Sequence, residues 1–180
     1  MKLLIASDIH GDFESAKALI NVFLKEKCDK ILLLGDVLYH GPRNDLPPTY
    51  SPKNVITLLN NYKDVILCVR GNCDTEVDQM VLDFPILGDY ALLSLDGITV
   101  YATHGHKYNT LSAPPLSNGD ILLHGHTHVL CSTAFGNNHY LNPGSIALPK
   151  ENNPRTYMIY ENRCFSVFDL NNNLIFEKKF

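Results

Sequence analysis

The first seventy residues alternate apolar runs with amphipathic segments, and this alternation restricts the chain to few folds. Three runs of strand length are apolar almost throughout: "LLIA" (3–6), "KILLL" (30–34) and "VILCV" (65–69). Apolar residues at helical spacing follow Asp12, and Ser51 with Pro52 is a typical helix start, so two helices are predicted between the runs. Apolar strands that alternate with helices indicate a parallel sheet covered on both faces.

The sequence after Asp83 changes to shorter apolar segments separated by turn residues. Asp96-Gly97 lies between two such segments and predicts a hairpin, and residues 154–180 predict two or three antiparallel strands. The fold class is therefore α/β, with a parallel first half and an antiparallel second half. A chain of 180 residues with 45% apolar content and no repeat or linker is expected to form a single domain, 1–180.

Charge and composition exclude several classes of partner. A net charge of -4 without any basic run argues against a nucleic-acid duplex and against an anionic membrane surface. No apolar run approaches the roughly 20 residues of a membrane span. Five scattered cysteines without a CxxC pair indicate neither a disulfide framework nor a structural zinc site, which favours a reducing cytoplasm. The expected partner is a small molecule.

Five apolar runs end in Asp, Asn or His beside a glycine. Functional groups in open α/β sheets collect outside the carboxyl ends of the strands, so these side chains are expected to share one crevice. Carboxylate, amide and imidazole donors without thiolates suit Mn, Fe, Zn or Co, and about seven ligands suffice for two ions that share a carboxylate. The side chains are Asp8, His10, Asp36, Asn72, His104, His106, His124, His126 and His128.

The spacing within "DIH" and "HTH" supports this interpretation. Residues i and i+2 of an extended segment point to the same side, so Asp8 with His10, and His126 with His128, can reach one site together. Taken singly, each fragment is typical of an ordinary turn or of a hydrogen-bonded histidine. Five such fragments in this arrangement favour a metal site. The glycines next to them would allow tight turns and close approach of the backbone to the metal. These glycines are Gly11, Gly35, Gly71, Gly105 and Gly125.

The blocks "DIHG", "GD", "GN", "HGH" and "GHTH", in this order, resemble those of the calcineurin-like metallophosphoesterases, especially their small bacterial phosphodiesterases. The resemblance implies an α-β-β-α sandwich of two mixed β-sheets flanked by helices. It also implies two divalent ions, Mn²⁺ in the first place, with Fe, Zn, Ni or Co as alternatives. One ion would be held by Asp8, His10, Asp36 and His128, and the other by Asp36, Asn72, His104 and His126, with Asp36 bridging.

The activity implied by the resemblance is hydrolysis of small phosphodiesters by in-line attack of a metal-bridging hydroxide. Many relatives carry histidine after the "GN" asparagine, where this chain has Cys73. A thiol beside cations would tend toward thiolate, a poor proton donor, so that Cys73 is either a weakened catalytic group, a soft ligand or a small buried filler. Weak activity is expected on substrates with basic leaving groups.

Five residues carry alternative interpretations. Arg43 is a candidate phosphate donor that His40 could assist, or both belong to a solvated loop or a subunit contact. Asp74 either orients a ligand or caps the "TEVDQM" helix. His106 and His124 either support the metal ligands from outside the ligand set or are structural.

Two other functions stay open at this point. A phosphomonoesterase or protein phosphatase would use the same metal ligands, and a catalytically weak binding scaffold could share the fold. The complete ligand set argues against the scaffold. The resemblance also suggests a homo-oligomer.

Overall fold

The computed structural model describes all 180 residues, which form two β-sheets packed face to face. The helices are α1 (Phe13–Lys25), α2 (Pro52–Asn60) and α3 (Glu76–Gln79), with a 3₁₀ turn at Lys63–Val65. The strands are β1 (Leu3–Ala6), β2 (Lys30–Leu33), β3 (Ile66–Cys68), β4 (Tyr90–Leu95), β5 (Ile98–Thr103), β6 (Ile121–Leu123), β7 (Leu130–Phe135), β8 (Asn138–Pro143), β9 (Thr156–Glu161), β10 (Cys164–Asp169) and β11 (Leu174–Lys179).

The first sheet has the order β11-β10-β9-β1-β2-β3. Strands β1, β2 and β3 are parallel, as the apolar runs predict, and β9 to β11 add an antiparallel meander to the free edge of β1. The turn between β9 and β10 is formed by Asn162 and Arg163, at φ 51° and 62°. The three C-terminal strands are therefore confirmed, with this turn one residue later than the "EN" of the sequence pattern suggests.

The second sheet has the order β4-β5-β6-β8-β7, with parallel pairs at its centre and antiparallel pairs at both edges. The expectation of an antiparallel second half is therefore wrong for β5, β6 and β8, which pair in parallel. The predicted hairpin between β4 and β5 is confirmed, because Asp96 and Gly97 form its turn at φ 50° and 80°. The outer face of the second sheet carries a small hydrophobic cluster around Tyr101, and the loop residues Tyr108 and Leu116 pack against it. Two mixed sheets flanked by few helices confirm the predicted fold class.

The alternation of side chains along β1 shows how the layers pack. Leu3 and Ile5 point into the apolar core between the two sheets, whereas Leu4 and Ala6 point into the core beneath α1 and α2. β1 is thus buried on both faces, by helices on one side and by the second sheet on the other, whereas the edge strand β3 exposes Leu67.

The helix starts follow the predicted capping residues. Asp12 caps α1, since its carboxylate accepts the Ser15 N–H at 3.1 Å. Ser51 precedes Pro52 at the start of α2, although its hydroxyl accepts from the Asn54 amide rather than from a backbone N–H. None of the helices is both long enough and apolar enough to cross a membrane.

Candidate metal centre

The predicted ligands converge at one end of the sandwich, where the carboxyl ends of five strands meet. Strands β1, β2 and β3 of the first sheet and β5 and β6 of the second sheet all end there. The loops that follow them bring the seven predicted ligands within reach of one another. They are Asp8, His10, Asp36, Asn72, His104, His126 and His128.

One group of three donor atoms lies on the β1 side of the site. Asp8 Oδ1 is 3.6 Å from His10 Nε2 and 3.3 Å from His128 Nε2, and the two Nε2 atoms are 3.3 Å apart. Ligands at about 2.0–2.1 Å from a tetrahedral ion lie about 3.3 Å from one another. Asp8 Oδ1 is buried without any hydrogen-bond partner. An unpaired buried carboxylate oxygen is costly, so this group fits a cation.

A second group lies beside it, around His104. His104 Nε2 is 3.0 Å from Asn72 Oδ1, 3.2 Å from His126 Nδ1 and 3.4 Å from Asp36 Oδ2. These donors come from four separate loops and meet only in the folded chain. Their spacing and their mixed N and O chemistry again suit a divalent transition metal.

Asp36 connects the two groups. Its Oδ2 lies 3.7 Å from His10 Nε2 on one side and 3.4 Å from His104 Nε2 on the other. Its Oδ1 accepts the Cys73 N–H at 2.8 Å, which fixes the plane of the carboxylate. One carboxylate therefore faces both groups of donors.

Backbone carbonyls orient three of the imidazoles. His10 Nδ1 pairs with the Tyr39 carbonyl at 2.7 Å, His104 Nδ1 with Leu34 at 2.6 Å, and His128 Nδ1 with Leu148 at 2.5 Å. Because a carbonyl only accepts, each Nδ1 carries the proton. The Nε2 lone pair of each ring then faces the cluster, as metal ligation requires.

The carboxylates and imidazoles of the cluster shift one another's pKa values. Burial alone would raise the pKa of Asp8, but the adjacent His10 and His128 imidazoles hold it well below its usual value. Burial lowers the pKa of His104, whereas the Asp36 and Asp8 carboxylates outweigh this effect and raise it to about 9. The electrostatic field of the two carboxylates thus favours positive charge at this position.

Five of the seven predicted ligands have left-handed backbone, which non-glycine residues rarely adopt. The φ values are 59° for Asp8, 49° for His10, 55° for Asp36, 66° for His126 and 61° for His128. Such conformations cost free energy and persist only where the surroundings enforce them, commonly at functional sites. These backbone conformations direct the side chains of neighbouring ligands into one small volume.

Two of the predicted glycines permit this crowding. A Cβ at Gly71 would overlap Asp36 Oδ1, and a Cβ at Gly125 would overlap Ser7 Oγ and lie 2.7 Å from Asp8 Oδ2. Only a glycine backbone can approach the two carboxylates this closely. The expectation of close backbone approach beside the ligands is therefore confirmed.

Asp74 is a buried support for the Asp36 loop. Its Oδ2 accepts the N–H groups of Asp36 at 2.8 Å and Gly71 at 2.7 Å, and its Oδ1 accepts that of Val37 at 2.9 Å. The alternative that Asp74 caps the next helix is wrong, because Thr75 is the N-cap of α3. Asp74 instead ties together the loops after β2 and β3.

Cys73 is buried beside Asp36, with its Sγ 3.2 Å from the Asn72 amide nitrogen. Burial and the Asp36 carboxylate both raise the pKa of this thiol. These neighbours favour the neutral thiol, and the expected tendency toward thiolate beside bound cations stays a prediction. His10, Asp36 and Cys73 nevertheless bring donor atoms within 4.8 Å of one another.

His106 and His124 surround the second group of donors. Burial is the main reason why the pKa of each falls to about 4, and the neighbouring His104 lowers it further. Both rings are thus neutral. His124 stacks on Tyr140 at 4.3 Å, and His106 lies 5.4 Å from the His104 ring.

The donor groups open into a cavity of about 480 Å³. Arg43 lines this cavity, whereas His40 is packed between Tyr39 and Tyr50 and does not. The sequence reasoning missed Lys150, which supplies a second cation and follows no recognisable motif. It also missed four other lining residues: Gly41, Pro42, Asn44 and Thr127.

Comparison with known proteins identifies the family. Residues 1–163 match the model of the calcineurin-like phosphoesterase superfamily domain. The chain belongs to this superfamily. Members of this superfamily use divalent metal ions, which agrees with the donor groups described above. The resemblance drawn from the "DIHG" to "GHTH" blocks is confirmed.

Individual relatives of this calcineurin-like phosphoesterase are similar over nearly their whole length. The chain is 41% identical to Phosphodiesterase YfcE of Escherichia coli over 175 residues, which cover 97% of this chain and 95% of the relative. The solved E. coli YfcE phosphoesterase matches with a TM-score of 0.96 at 39% identity, covering 99% and 98% of the two chains. Vacuolar Protein Sorting 29 of Cryptosporidium parvum shares the fold, at a TM-score of 0.65 and 18% identity over 99% and 97%.

Proposed function

We propose that this chain is a metal-dependent phosphodiesterase that hydrolyses small phosphodiesters. The observation that carries the proposal is the position of Asp36 Oδ2, 3.7 Å from His10 Nε2 and 3.4 Å from His104 Nε2. A carboxylate between two histidine-rich donor groups fits a pair of ions that share one ligand. The similarity to a phosphodiesterase at 41% identity supports the substrate class.

The proposed ligands fall into two sets that share Asp36. Asp8, His10 and His128 complete one set, and Asn72, His104 and His126 complete the other. The unpaired Asp8 Oδ1 and the three Nδ1-anchored imidazoles support this division. We propose Mn²⁺ as the metal, because carboxylate, amide and imidazole donors suit it, although the same donors accept Fe, Zn, Ni or Co.

Two divalent ions, when bound, would lower the pKa of water in the site and neutralise charge on the phosphoryl oxygens. The protein's own contribution is to hold the donors in place. The Cys73 N–H holds one oxygen of Asp36, and the backbone carbonyls of Tyr39, Leu34 and Leu148 hold three imidazoles. Pre-organised donors need no rearrangement as the reaction proceeds.

Arg43 and Lys150 are proposed to bind the phosphate. Both line the cavity together with the donor groups. A guanidinium can donate two parallel hydrogen bonds to a phosphate, whereas an ammonium acts as a point charge. Two exposed cations at the mouth of the cavity would attract an anionic diester and orient it toward the metal ligands.

The presence of Cys73 instead of an imidazole supports a preference for activated diesters. Cys73 lines the cavity that contains Arg43 and Lys150, here called the phosphate cavity, and a thiol or thiolate there is a poorer proton donor than an imidazolium. Substrates whose leaving groups need no proton should therefore react fastest. Cys73 is proposed to face the leaving group rather than to ligate a metal.

The test uses protein loaded with Mn²⁺, an activated aryl phosphodiester and the matching phosphomonoester. We expect hydrolysis of the diester, faster than that of the monoester, and its loss in Asp36→Asn together with reduced Mn²⁺ binding in calorimetry. Preference for the monoester would favour a phosphomonoesterase. Hydrolysis of neither ester with any divalent metal would overturn the enzyme proposal and favour the binding scaffold.

We further propose that residues 1–180 act as one domain in the cytoplasm. One apolar core between the two sheets, with contributions from both ends of the chain, supports the single domain. Five unpaired cysteines support a reducing compartment.

A further inference from the structure

A second groove lies directly beside the phosphate cavity, and its lining is apolar. It has a volume of about 320 Å³ and is formed by the loop after β2, the start of α2 and the region of α3. We call it the apolar groove. Its lining residues include Tyr39, Tyr50, Ile56, Cys73, Val77 and Val81.

Cys73 lines both the apolar groove and the phosphate cavity. The two spaces therefore meet at this side chain, next to Asp36. A short thiol leaves the junction wider than a bulkier side chain would. The groove therefore borders the space in which a phosphate beside Asp36 would lie.

Hydrogen bonding fixes the groove relative to the metal donors. The Tyr39 carbonyl pairs with His10 Nδ1 at 2.7 Å, while the Tyr39 ring lines the groove. One residue thus belongs to both the donor cluster and the groove wall. The distance between phosphate and groove is set by the fold and is the same for every substrate.

Two polar residues of the groove, Thr75 and Asp78, satisfy each other. Thr75 and Asp78 form a capping box in which the Asp78 carboxylate accepts the Thr75 N–H and hydroxyl, each at 2.8 Å. These two side chains therefore have little hydrogen-bonding capacity left for a ligand. The remaining surface is aliphatic and aromatic, which suits an apolar ring rather than a sugar or a charged group.

We propose that the apolar groove binds an aromatic ester group of the phosphodiester substrate. This inference rests on the proposed function and names the class of substrate that the site prefers. The shared border with the phosphate cavity at Cys73 favours a substrate group, rather than a second copy of the chain, as the occupant. The exposed Tyr39, Val77 and Val81 would lose contact with water when the ring binds.

The experiment compares phenylphosphonate with methylphosphonate as ligands of the Mn²⁺-loaded enzyme. Neither contains a bond that the enzyme hydrolyses, and they differ in the ring alone. Titration calorimetry and competitive inhibition of diester hydrolysis both report their affinities. Burial of a phenyl ring should make phenylphosphonate bind about tenfold or more tightly than methylphosphonate.

Two variants connect this difference to the groove. Val77→Asp places a charge in the wall at an exposed position of α3, and Tyr39→Ala removes a ring. Each should reduce the phenyl-to-methyl affinity ratio to within about twofold of one, since the burial it depends on is lost. Leu174→Asp, which also replaces an exposed aliphatic residue by aspartate but lies on β11, should leave the ratio unchanged.

The outcomes separate this inference from the proposed function. Equal affinities for the two phosphonates, in an enzyme that hydrolyses diesters, would overturn the inference and leave the function intact. A change of molar mass in Val77→Asp, without a change in the affinity ratio, would assign the groove to a contact between copies of the chain. Absence of both hydrolysis and phosphonate binding would overturn the proposed function and the inference together.

Discussion

The buried carboxylate of Asp74 holds the backbone of Asp36, whose N–H it accepts at 2.8 Å. The same carboxylate also holds the N–H groups of Val37 and Gly71, so one side chain joins two loops of the candidate site. Burial raises the pKa of Asp74, and the three N–H donors oppose this rise. The position of Asp36 thus depends on a residue that faces away from the cavity.

Replacement of this support should weaken both the fold and the metal site. In Asp74→Asn an amide NH₂ group would face backbone N–H donors, leaving at least one buried donor without a partner. We expect a loss of about 1–3 kcal/mol in the free energy of unfolding. Urea titration measures the stability, and calorimetry with Mn²⁺ measures the affinity, which should fall about tenfold or more. Asp45→Asn, in the exposed loop, is the control and should change neither quantity.

Introduction of an imidazole at position 73 should raise the catalytic rate. In Cys73→His a protonated ring would replace a neutral, poorly acidic thiol, so we expect kcat to rise about tenfold or more on diesters with basic leaving groups. Cys73→Ser, which keeps the size and supplies no better acid, should show no such gain. A steady-state comparison of alkyl and activated aryl diesters provides the measurement. An unchanged kcat on alkyl diesters would mean that residue 73 lies away from the leaving group.

Removal of the cavity cations should affect substrate binding more than turnover. We expect Lys150→Ala and Arg43→Ala each to raise KM about tenfold, because each removes one charged contact with the phosphate. Addition of salt should raise the KM of the unaltered enzyme and have less effect on the double variant. Lys53→Ala, at an exposed position of α2, is the matched control. Equal losses in kcat and kcat/KM would instead indicate a role confined to the transition state.

Alkaline pH should destabilise the protein through Tyr160. Its hydroxyl donates to Asp96 Oδ2 at 2.7 Å. Burial, and to a smaller extent the Asp96 carboxylate, raises the pKa of Tyr160 to about 12. Between pH 10 and 12 the unfolded chain loses this proton first, so stability falls as pH rises. Tyr160→Phe should be less stable at pH 7 and should lose less on going to pH 11, as urea midpoints would show. Tyr90→Phe, at an exposed position, should show the same pH dependence of stability as the unaltered protein.

Much of the local structure could be predicted because it depends on neighbours in sequence. Asp12 caps α1 and Asp96-Gly97 turns the β4–β5 hairpin through short-range hydrogen bonds and backbone preference. The ligand candidates were recognisable because each follows an apolar run. The alternative for Asp74 was wrong since Thr75 offers the same capping chemistry one residue later.

The remaining features depend on contacts that no local pattern encodes. Left-handed backbone at Asp8 and His128 is unfavourable locally and exists only because packing around the site enforces it. Lys150 reaches the cavity from the segment between β8 and β9, far in sequence from every ligand block. The apolar groove likewise combines three separated segments, so its existence could be inferred only from the folded chain.

The place of β1 between β2 and β9 has a consequence for biosynthesis. β1 carries Asp8 and His10 at its end, but the strand that completes its second edge begins only at Thr156. During translation the first strand therefore leaves the ribosome long before its partner, and its open edge must be kept from pairing wrongly with other chains. Closure of the sheet around β1 is thus a late event. On a ribosome stalled before β9, the candidate ligands Asp8 and His10 would follow a strand with one edge unpaired.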